Sequence, residues 1–222
     1  MTVPKSSHVA AIDHVERELG AKLKAVGFKK KGRTFNRSTE DGVVQVINIQ
    51  MGSYDPPGTT YIPGLRENLY GWFTINLGVY VPEVAKSHGG GEVKDFVREY
   101  HCCIRDRLGH LGPEKTELWW RNDAAAEVLP DLLVRIDRDG LPFLARFGSR
   151  DAILRELDED RSKLGGGTAP PRIVKAIILV QRGDRDAARD LLAKQAQETL
   201  NPGHPAYVRS LAAKLGIPLA GS

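Results

Sequence analysis

The densest collection of chemically capable side chains lies between residues 100 and 120, in the run YHCCIRDRLGHLGPEKTELWW. This run contains both cysteines of the chain, two of its six histidines and two of its three tryptophans. Neighbouring cysteines and histidines can bind a metal ion, and a cysteine beside cations can act as a nucleophile. The secondary structure of this run decides whether these side chains can form a metal site or a reactive thiol.

Apolar residues recur at helical spacing through this run, which predicts a helix. Its stripe would consist of Phe96, Val97, Tyr100, Cys103, Ile104, Leu108 and Leu111. Consecutive helical residues point about 100° apart, so His101, Cys102 and Cys103 would not converge on one ion. We therefore predict no metal site and no cofactor. Cys103 would be buried, whereas Cys102 would lie opposite, where nearby cations would lower its thiol pKa. An unreactive surface cysteine is the favoured interpretation of Cys102.

A run of basic residues precedes these groups in the chain. Residues 22 to 37 contain seven Lys or Arg and no acid; since the whole chain carries a net +4, the remainder sums to −3. A local cationic excess indicates an anionic partner. The segment FKKKGRTFNR is predicted to form one bent edge strand, with Gly32 at the bend. Lysines on an edge strand also prevent aggregation, so both roles stay open.

Two segments, GVVQVINIQM and WFTINLGVYV, alternate between two faces, as strands of an antiparallel sheet do. The second segment is the clearer one. Its core face would consist of Phe73, Ile75, Leu77, Val79 and Val81. Its other, wetter face would present Trp72, Thr74, Asn76, Gly78 and Tyr80. TELWW is predicted to be a fourth, short strand.

These elements predict an α+β fold, with a small antiparallel sheet of about four strands packed with helices. The α+β domain would span residues 1–160, followed by a linker at 161–171 and a C-terminal helical subdomain at 172–222. A first helix begins at Ser6 or Ser7 and ends at Gly27, and further helices are predicted at AAAEVLPDLLVRI and SRDAILRELDED. Three short amphipathic helices form the tail. We expect them to pack on the first domain; a separate partner-binding face is the alternative.

Several kinds of chemistry lack their sequence signatures. The chain has no phosphate-binding loop, no dinucleotide glycine pattern and no nucleophile elbow, and its histidines are dispersed. We therefore predict no catalytic residues. The first twenty residues lack the apolar core of a signal peptide, and no segment approaches the roughly 20 apolar residues that span a bilayer. Adjacent cysteines suit a reducing compartment, so we expect a cytoplasmic protein without membrane contact.

The segments GFKKKGRTFNR, VINIQ, WFTINLGVYVP, HCCIRDRLGHLGP and WW follow one another in this order. This succession resembles the bacterial family known as domain of unknown function 4304, over about residues 9–157. The resemblance implies a small cytoplasmic α+β domain and carries over no catalytic residue. It draws attention to the residues inside the matching motifs, which are Lys30, Lys31, Arg33, Phe35, Asn76, Arg105, Arg107, Trp119 and Trp120.

We expect a binding protein rather than an enzyme. The predicted binding residues are Lys29, Lys30, Lys31, Arg33, Phe35, Trp72, Asn76, Arg105, Arg107, Trp119 and Trp120. Arg and Trp are enriched among the anchors of protein interfaces, which favours an acidic protein partner, such as a toxin neutralised by an immunity protein. Cations on phosphates and aromatic rings on bases would instead bind RNA. The third hypothesis is an enzyme acting on a small anionic substrate.

Overall fold

The computed structural model describes most of the chain. The described residues are 7–52, 68–88, 94–158, 169–199 and 201–219. The proposed linker at 161–171 lies mostly outside them, as does the glycine-rich segment at 88–94. The Pro- and Gly-rich loop at 54–64 lies wholly outside them.

Six strands form one antiparallel sheet within the described residues. They are β1 Lys29–Lys31, β2 Thr34–Ser38, β3 Val44–Met51, β4 Trp72–Tyr80, β5 Ile104–Arg107 and β6 Trp120–Arg121. The spatial order is β1-β2-β3-β4-β5, and β6 pairs with the beginning of β4. The predicted α+β class and antiparallel sheet are confirmed, with more strands than the four expected.

The basic segment folds into a hairpin rather than the single bent strand that we predicted. Lys31 pairs with Thr34, which leaves Gly32 and Arg33 as a two-residue turn between β1 and β2. Gly32 has a φ of 59°, in the left-handed region that glycine tolerates and that the first turn position of a type II′ hairpin requires. As a result, the three lysines of β1 form an exposed edge of the sheet.

Helices make up most of the remaining described chain. They are α1 Ser7–Ala25, α2 Pro82–His88, α3 Leu108–Leu111, α4 Ala125–Arg135, α5 Leu141–Ala145, α6 Arg150–Asp158, α7 Pro171–Arg182, α8 Arg185–Gln197 and α9 His204–Lys214. The helices predicted near both ends and after the sheet are present, whereas α2 was not predicted. None of these described helices is long and apolar enough to cross a membrane.

One face of the sheet enters the main hydrophobic core, as the alternation in β4 predicts. The core-facing residues of β4 have no exposed surface; they are Phe73, Ile75, Leu77 and Val79. Helix α1 contributes its apolar stripe to the same core, with Ile12, Val15, Leu19 and Leu23 also fully buried. Helix α4 packs against α1 and continues this layer. The apolar faces that strand and helix periodicity predict therefore pack into the same core.

The opposite face of β4 is also buried, which corrects the prediction of a wetter face. Thr74 is fully buried, and Asn76 is only 4 % exposed. The Thr74 hydroxyl donates a hydrogen bond to the backbone oxygen of Leu118 at 2.7 Å. At one end of this face lies a small second apolar cluster, which consists of Val46, Tyr80, Val97 and Cys102. Side-chain alternation showed that this face is polar, but the chain that covers it comes from distant positions in the sequence.

The helix predicted across residues 96–111 is wrong. The chain instead forms a 3₁₀ turn at Glu99–His101, then β5 and the four-residue helix α3. Pairing with β4 is favoured over a helix because it gives the backbone groups of β5 hydrogen-bond partners at the edge of the sheet. In addition, the backbone N–H of Cys103 donates a hydrogen bond to the backbone oxygen of Val79. Cys103 is buried as predicted. Tyr100, expected on the buried stripe, is 61 % exposed.

The three helices predicted for the tail are α7, α8 and α9. Helix α7 packs against α2 and α6, and α9 also contacts α2. Their buried residues join the main core, among them Ile173, Ile177, Leu192 and Leu211. The tail therefore covers apolar surface of the earlier helices.

Candidate binding site on the polar face of the sheet

A single row of paired residues crosses the polar face from one sheet edge to the other. Its members, in spatial order, are Lys31, Thr34, Asn48, Asn76 and Arg107. Directly paired residues in an antiparallel sheet present their side chains on the same face. Four interstrand spacings separate the two ends, or roughly 19 Å. The row has a cation at each end and hydroxyl and amide groups between them.

The middle of the row is held by hydrogen bonds. Asn48 Nδ2 donates to the Thr34 hydroxyl at 3.0 Å, and Arg98 Nη1 reaches the same oxygen at 3.1 Å. Next to them, Asn36 exchanges two hydrogen bonds with the backbone of Val97, at 2.7 and 2.9 Å. These bonds hold the segment before the 3₁₀ turn against β2.

A pocket of about 240 Å³ lies at the β5 end of the row. The residues that line it are all polar or charged; they are Gln50, Asn76, Glu99, Arg105, Asp106, Arg107 and His110. Five elements supply these residues: β3, β4, the 3₁₀ turn, β5 and α3. Convergence of several polar groups on one concavity is typical of a binding site.

Glu99 reaches the pocket because the 3₁₀ turn lies directly against β4 at Gly78. A Cβ atom on Gly78 would lie 2.6 Å from Sγ of Cys102, so only glycine permits this approach. The Glu99 carboxylate accepts a hydrogen bond from Arg105 Nε at 2.5 Å and also contacts Arg105 Nη2. Glu99 is 8 % exposed, so this ion pair compensates a carboxylate that is largely removed from water.

Arg107 lies two residues further along β5 and on the same face as Arg105. It forms an ion pair with Glu117, and its guanidinium carbon lies 5.3 Å from the centre of the Trp119 ring. Partial burial lowers the pKa of the Arg107 guanidinium; Glu99 opposes this shift, and the neighbouring Arg105 adds to it. The two arginines face one concavity.

The remaining pocket residues are oriented by each other. His110 Nδ1 lies 2.9 Å from the Asp106 carboxylate, four residues earlier in the chain. The same carboxylate accepts the backbone N–H of Arg107 at 2.8 Å. Asn76 Nδ2 donates to Gln50 Oε1 at 2.6 Å. With Nδ1 engaged by a carboxylate, the imidazole presents Nε2 as its second polar atom, an arrangement suited to binding or proton transfer.

The predicted basic strand lies at the other edge of the sheet from this pocket. Lys30 forms an ion pair with Glu16 of α1 at 2.7 Å, and Arg33 lies 3.8 Å from the same carboxylate. Within the described residues, Lys29 and Lys31 have no ion-pair partner. Both are directed to the polar face, since they pair with Asn36 and Thr34. Lys29 and Lys31 therefore lie at one end of the polar face and Arg105 and Arg107 at the other, whereas Lys30 lies on the opposite face with Phe35.

The predicted aromatic residues are only partly available at the surface. Phe35 is 1 % exposed and lies in the main core, which corrects its placement on a binding surface. Trp120 is half-buried, with its ring centre 5.6 Å from that of Phe73. Trp72 is half-buried at the beginning of β4. Trp119 is half-buried beneath Arg107, so it is the predicted aromatic residue that borders the pocket.

Sequence analysis missed Gln50, Glu99, Asp106 and His110 as site residues. Tyr100 was missed as well, because the helical pattern put it in the interior. A signal existed for one of these residues: Gln50 shares a strand face with Asn48. Nothing in the local sequence connected Glu99 with Arg105, because their contact depends on the turn between them.

The two cysteines are buried thiols. Cys102 is fully buried, and burial raises its pKa well above the usual value; Cys103 and Glu99 add to this, and Arg105 opposes it. Burial raises the pKa of Cys103 to about 12. The expectation that cations would lower the pKa of Cys102, like its placement on the surface, is wrong, because loss of water outweighs one nearby guanidinium. Among the described residues, no three His, Cys, Asp or Glu side chains form a group that could bind a metal ion.

A model of the family described as domain of unknown function (DUF4304) matches residues 19–62 and 66–146. The chain belongs to this family. The match extends from the second half of α1 to the end of α5, so it includes the sheet and the pocket of this DUF4304 protein, while α6 to α9 lie beyond it. Comparisons with curated proteins and with solved structures found no match.

Proposed function

We propose that this DUF4304 protein binds an acidic protein partner through its aromatic–arginine cluster, which consists of Tyr100, Arg105, Arg107 and Trp119. The observation that carries the proposal is the exposed Tyr100, at 61 %, which directly follows Glu99, the carboxylate partner of Arg105. Glu99 fixes Arg105, and Glu117 and the Trp119 ring fix Arg107. Tyr, Trp and Arg dominate the energetics of protein interfaces, particularly when they are held in position before binding.

The cations at the far end of the polar face support an acidic partner. Lys29 and Lys31 are exposed and lie on the same face as the cluster. A standard interface buries about 800 Å² on each protein, or a patch roughly 30 Å across. The row of roughly 19 Å fits within that patch. One partner could thus contact Arg107 and Lys31 together, and complementary charge would speed its association.

The alternative of nucleic-acid binding receives less support from this geometry. Base stacking requires accessible rings, but Phe35 is in the core and Trp120 packs on Phe73. Binding along a phosphate backbone requires several available cations, yet Lys30 and Arg33 share Glu16. This mixture of charges suits a protein surface better than a polyanion.

An immunity- or antitoxin-like role in a bacterial cytoplasm is the specific form of this proposal. In that form the acidic partner is a toxin, and the polar face covers it. Support for a reducing compartment comes from Cys102 and Cys103, which are adjacent and buried thiols. A toxin among captured proteins is the result that would favour this form over other protein partners.

Affinity capture from the native host at low salt tests the proposal, with nuclease-treated and untreated extracts compared. We expect the same protein partner from both extracts and its loss with Tyr100→Ala. An interface anchor of about 2 kcal/mol corresponds to a roughly 30-fold weaker complex. Val134→Ala is the control, since Val134 is also exposed, at 56 %, but lies on α4. A partner that Tyr100→Ala and Arg107→Ala leave unaffected contradicts the proposal.

A further inference from the structure

The donors of the pocket outnumber its acceptors. Each arginine has five N–H groups, and the bonds to Glu99 and Glu117 use only part of them. Gln50 accepts from Asn76 through its oxygen, and its amide nitrogen has no hydrogen-bond partner among the described residues. Against these stand the second oxygens of Glu99 and Asp106. A concavity with surplus donors is suited to a ligand that offers oxygen acceptors.

The arginine pair indicates that this ligand is negatively charged. Arg105 and Arg107 are alternate residues on one strand face, so their Cα atoms lie roughly 6.8 Å apart. Their mutual repulsion contributes to the lowered pKa of Arg107. Each has a carboxylate on one side, Glu99 for Arg105 and Glu117 for Arg107. An oxyanion between the two guanidinium groups would receive charge-assisted hydrogen bonds from both and relieve this repulsion.

His110 contributes an imidazole ring at the α3 side of the pocket. Its Nδ1 contacts Asp106, whose carboxylate is also fixed by the backbone N–H of Arg107. This arrangement leaves Nε2 as the atom available to a ligand. Arginine, imidazole and amide groups thus converge from β5, α3 and β3 on one small volume.

We propose that this pocket binds the oxyanion group of a small phosphate- or carboxylate-bearing compound. The pocket volume of about 240 Å³ accommodates a phosphate or carboxylate group. Arg105 and Arg107 bind the oxyanion, and the amide nitrogen of Gln50 orients it. The site does not depend on a protein partner, since its lining lies in one chain.

Two-dimensional NMR of the full chain, titrated with inorganic phosphate or with acetate against sodium chloride at equal ionic strength, tests the site. We expect saturable shifts in the backbone signals of residues 50, 76 and 105–110 with both oxyanions. The phosphate arm and the acetate arm show which oxyanion binds more tightly. Shifts that never saturate, or that chloride reproduces, overturn the proposal.

Two variants make the result specific to the pocket. Gln50→Glu keeps the acceptor for Asn76 and the size of the side chain but adds a negative charge, so we expect no phosphate binding. Arg107→Met should weaken it about tenfold to a hundredfold, the effect of losing hydrogen bonds to a charged group. Gln181→Glu and Arg121→Met make the same changes outside the pocket and should have no effect.

The outcomes also separate this site from the proposed partner surface. If Gln50→Glu abolishes phosphate binding while the protein partner is still captured, the pocket and the partner surface act independently. If Gln50→Glu folds normally, as circular dichroism would show, and binds phosphate like the wild type, the pocket proposal is wrong whatever the capture experiment gives. Should Arg107→Met fail to fold, Gln50→Glu decides the question by itself.

Discussion

Gly78 of β4 and Cys102 lie so close that a Cβ atom on residue 78 would be 2.6 Å from Sγ and 2.8 Å from Cβ of Cys102. This contact determines how the chain from Arg98 to Cys103 lies on the sheet. Glu99 lies in this segment and forms an ion pair with Arg105. Tyr100, the next residue, is exposed. The candidate site therefore depends on a glycine that takes no part in binding.

Gly78→Ala is expected to destabilise the fold by about 1–3 kcal/mol, the usual cost of adding a methyl group to a packed interior. Denaturant unfolding measures it. Gly203→Ala is the control, because a Cβ there would meet nothing closer than 3.6 Å. Combining Gly78→Ala with Cys102→Gly removes the atoms that clash, so the double variant should lose less stability than the sum of the two single changes. Strict additivity would contradict the packing described above.

Thr74→Val should cost about 1 kcal/mol in the free energy of unfolding. The substitution keeps the shape of a fully buried side chain but removes the 2.7 Å hydrogen bond to the oxygen of Leu118. Thr116→Val is the control, since Thr116 is exposed.

Ile75→Asp and Leu77→Asp should abolish soluble folding, because each buries an unpaired charge. If Thr74→Val and Ile75→Asp have similar effects in thermal unfolding, the assignment of the two faces is wrong.

Stability should fall as pH rises above the ordinary thiol range. In the folded protein the pKa of Cys103 is about 12, whereas an unfolded cysteine titrates near 8.5. Between these values the unfolded chain has lost a proton that the folded chain retains, so unfolding becomes easier by about 1.4 kcal/mol per pH unit for this thiol. Cys103→Ala should flatten the dependence between pH 9 and 11. Equal slopes for both proteins would contradict the burial of this thiol.

The thiols should resist alkylation in the native state. Both pKa values are raised by burial, so little thiolate exists at pH 8 and neither sulfur is accessible. Iodoacetamide labelling followed by mass spectrometry should show slow modification that becomes rapid in denaturant. Rapid native labelling of Cys102 would support the surface position that the sequence suggested.

Deleting residues 169–222 should lower the melting temperature and increase binding of a dye for exposed apolar surface. Helix α7 packs on α2 and α6, and residues such as Ile173 and Ile177 are fully buried in the shared core. The complementary variant Ile177→Asp in the full chain should produce the same change. A truncated protein that melts like the full chain would instead support a separate partner-binding subdomain.

Nucleic acid should bind only weakly. At physiological salt we expect dissociation constants for mixed DNA and RNA oligomers no better than about 10⁻⁴ M, the weak end of the non-specific range. Lys29→Glu combined with Lys31→Glu should change this little but slow association with the protein partner. Submicromolar RNA binding that the double variant abolishes would replace the protein-partner proposal with RNA binding.

The sequence by itself determined the elements whose periodicity reflects burial. The strict alternation in β4 identified the core face from Phe73 to Val79, and 3.6-residue spacing identified α1, α4 and the tail helices. Membership of the DUF4304 family also followed from sequence motifs, and the family match confirms it. Such patterns are readable because each apolar residue must face the same interior whatever its neighbours are.

Only the tertiary structure decided how the segment around Tyr100 and the polar face are arranged. The spacing of Tyr100, Ile104 and Leu108 fits a helix, but backbone pairing with β4 outweighs that local preference. The pocket joins Gln50, Asn76 and Glu99, which are far apart in the chain. Their meeting depends on strand register and on the close approach at Gly78, and neither leaves a periodic signal, because contacts between distant residues are set by packing.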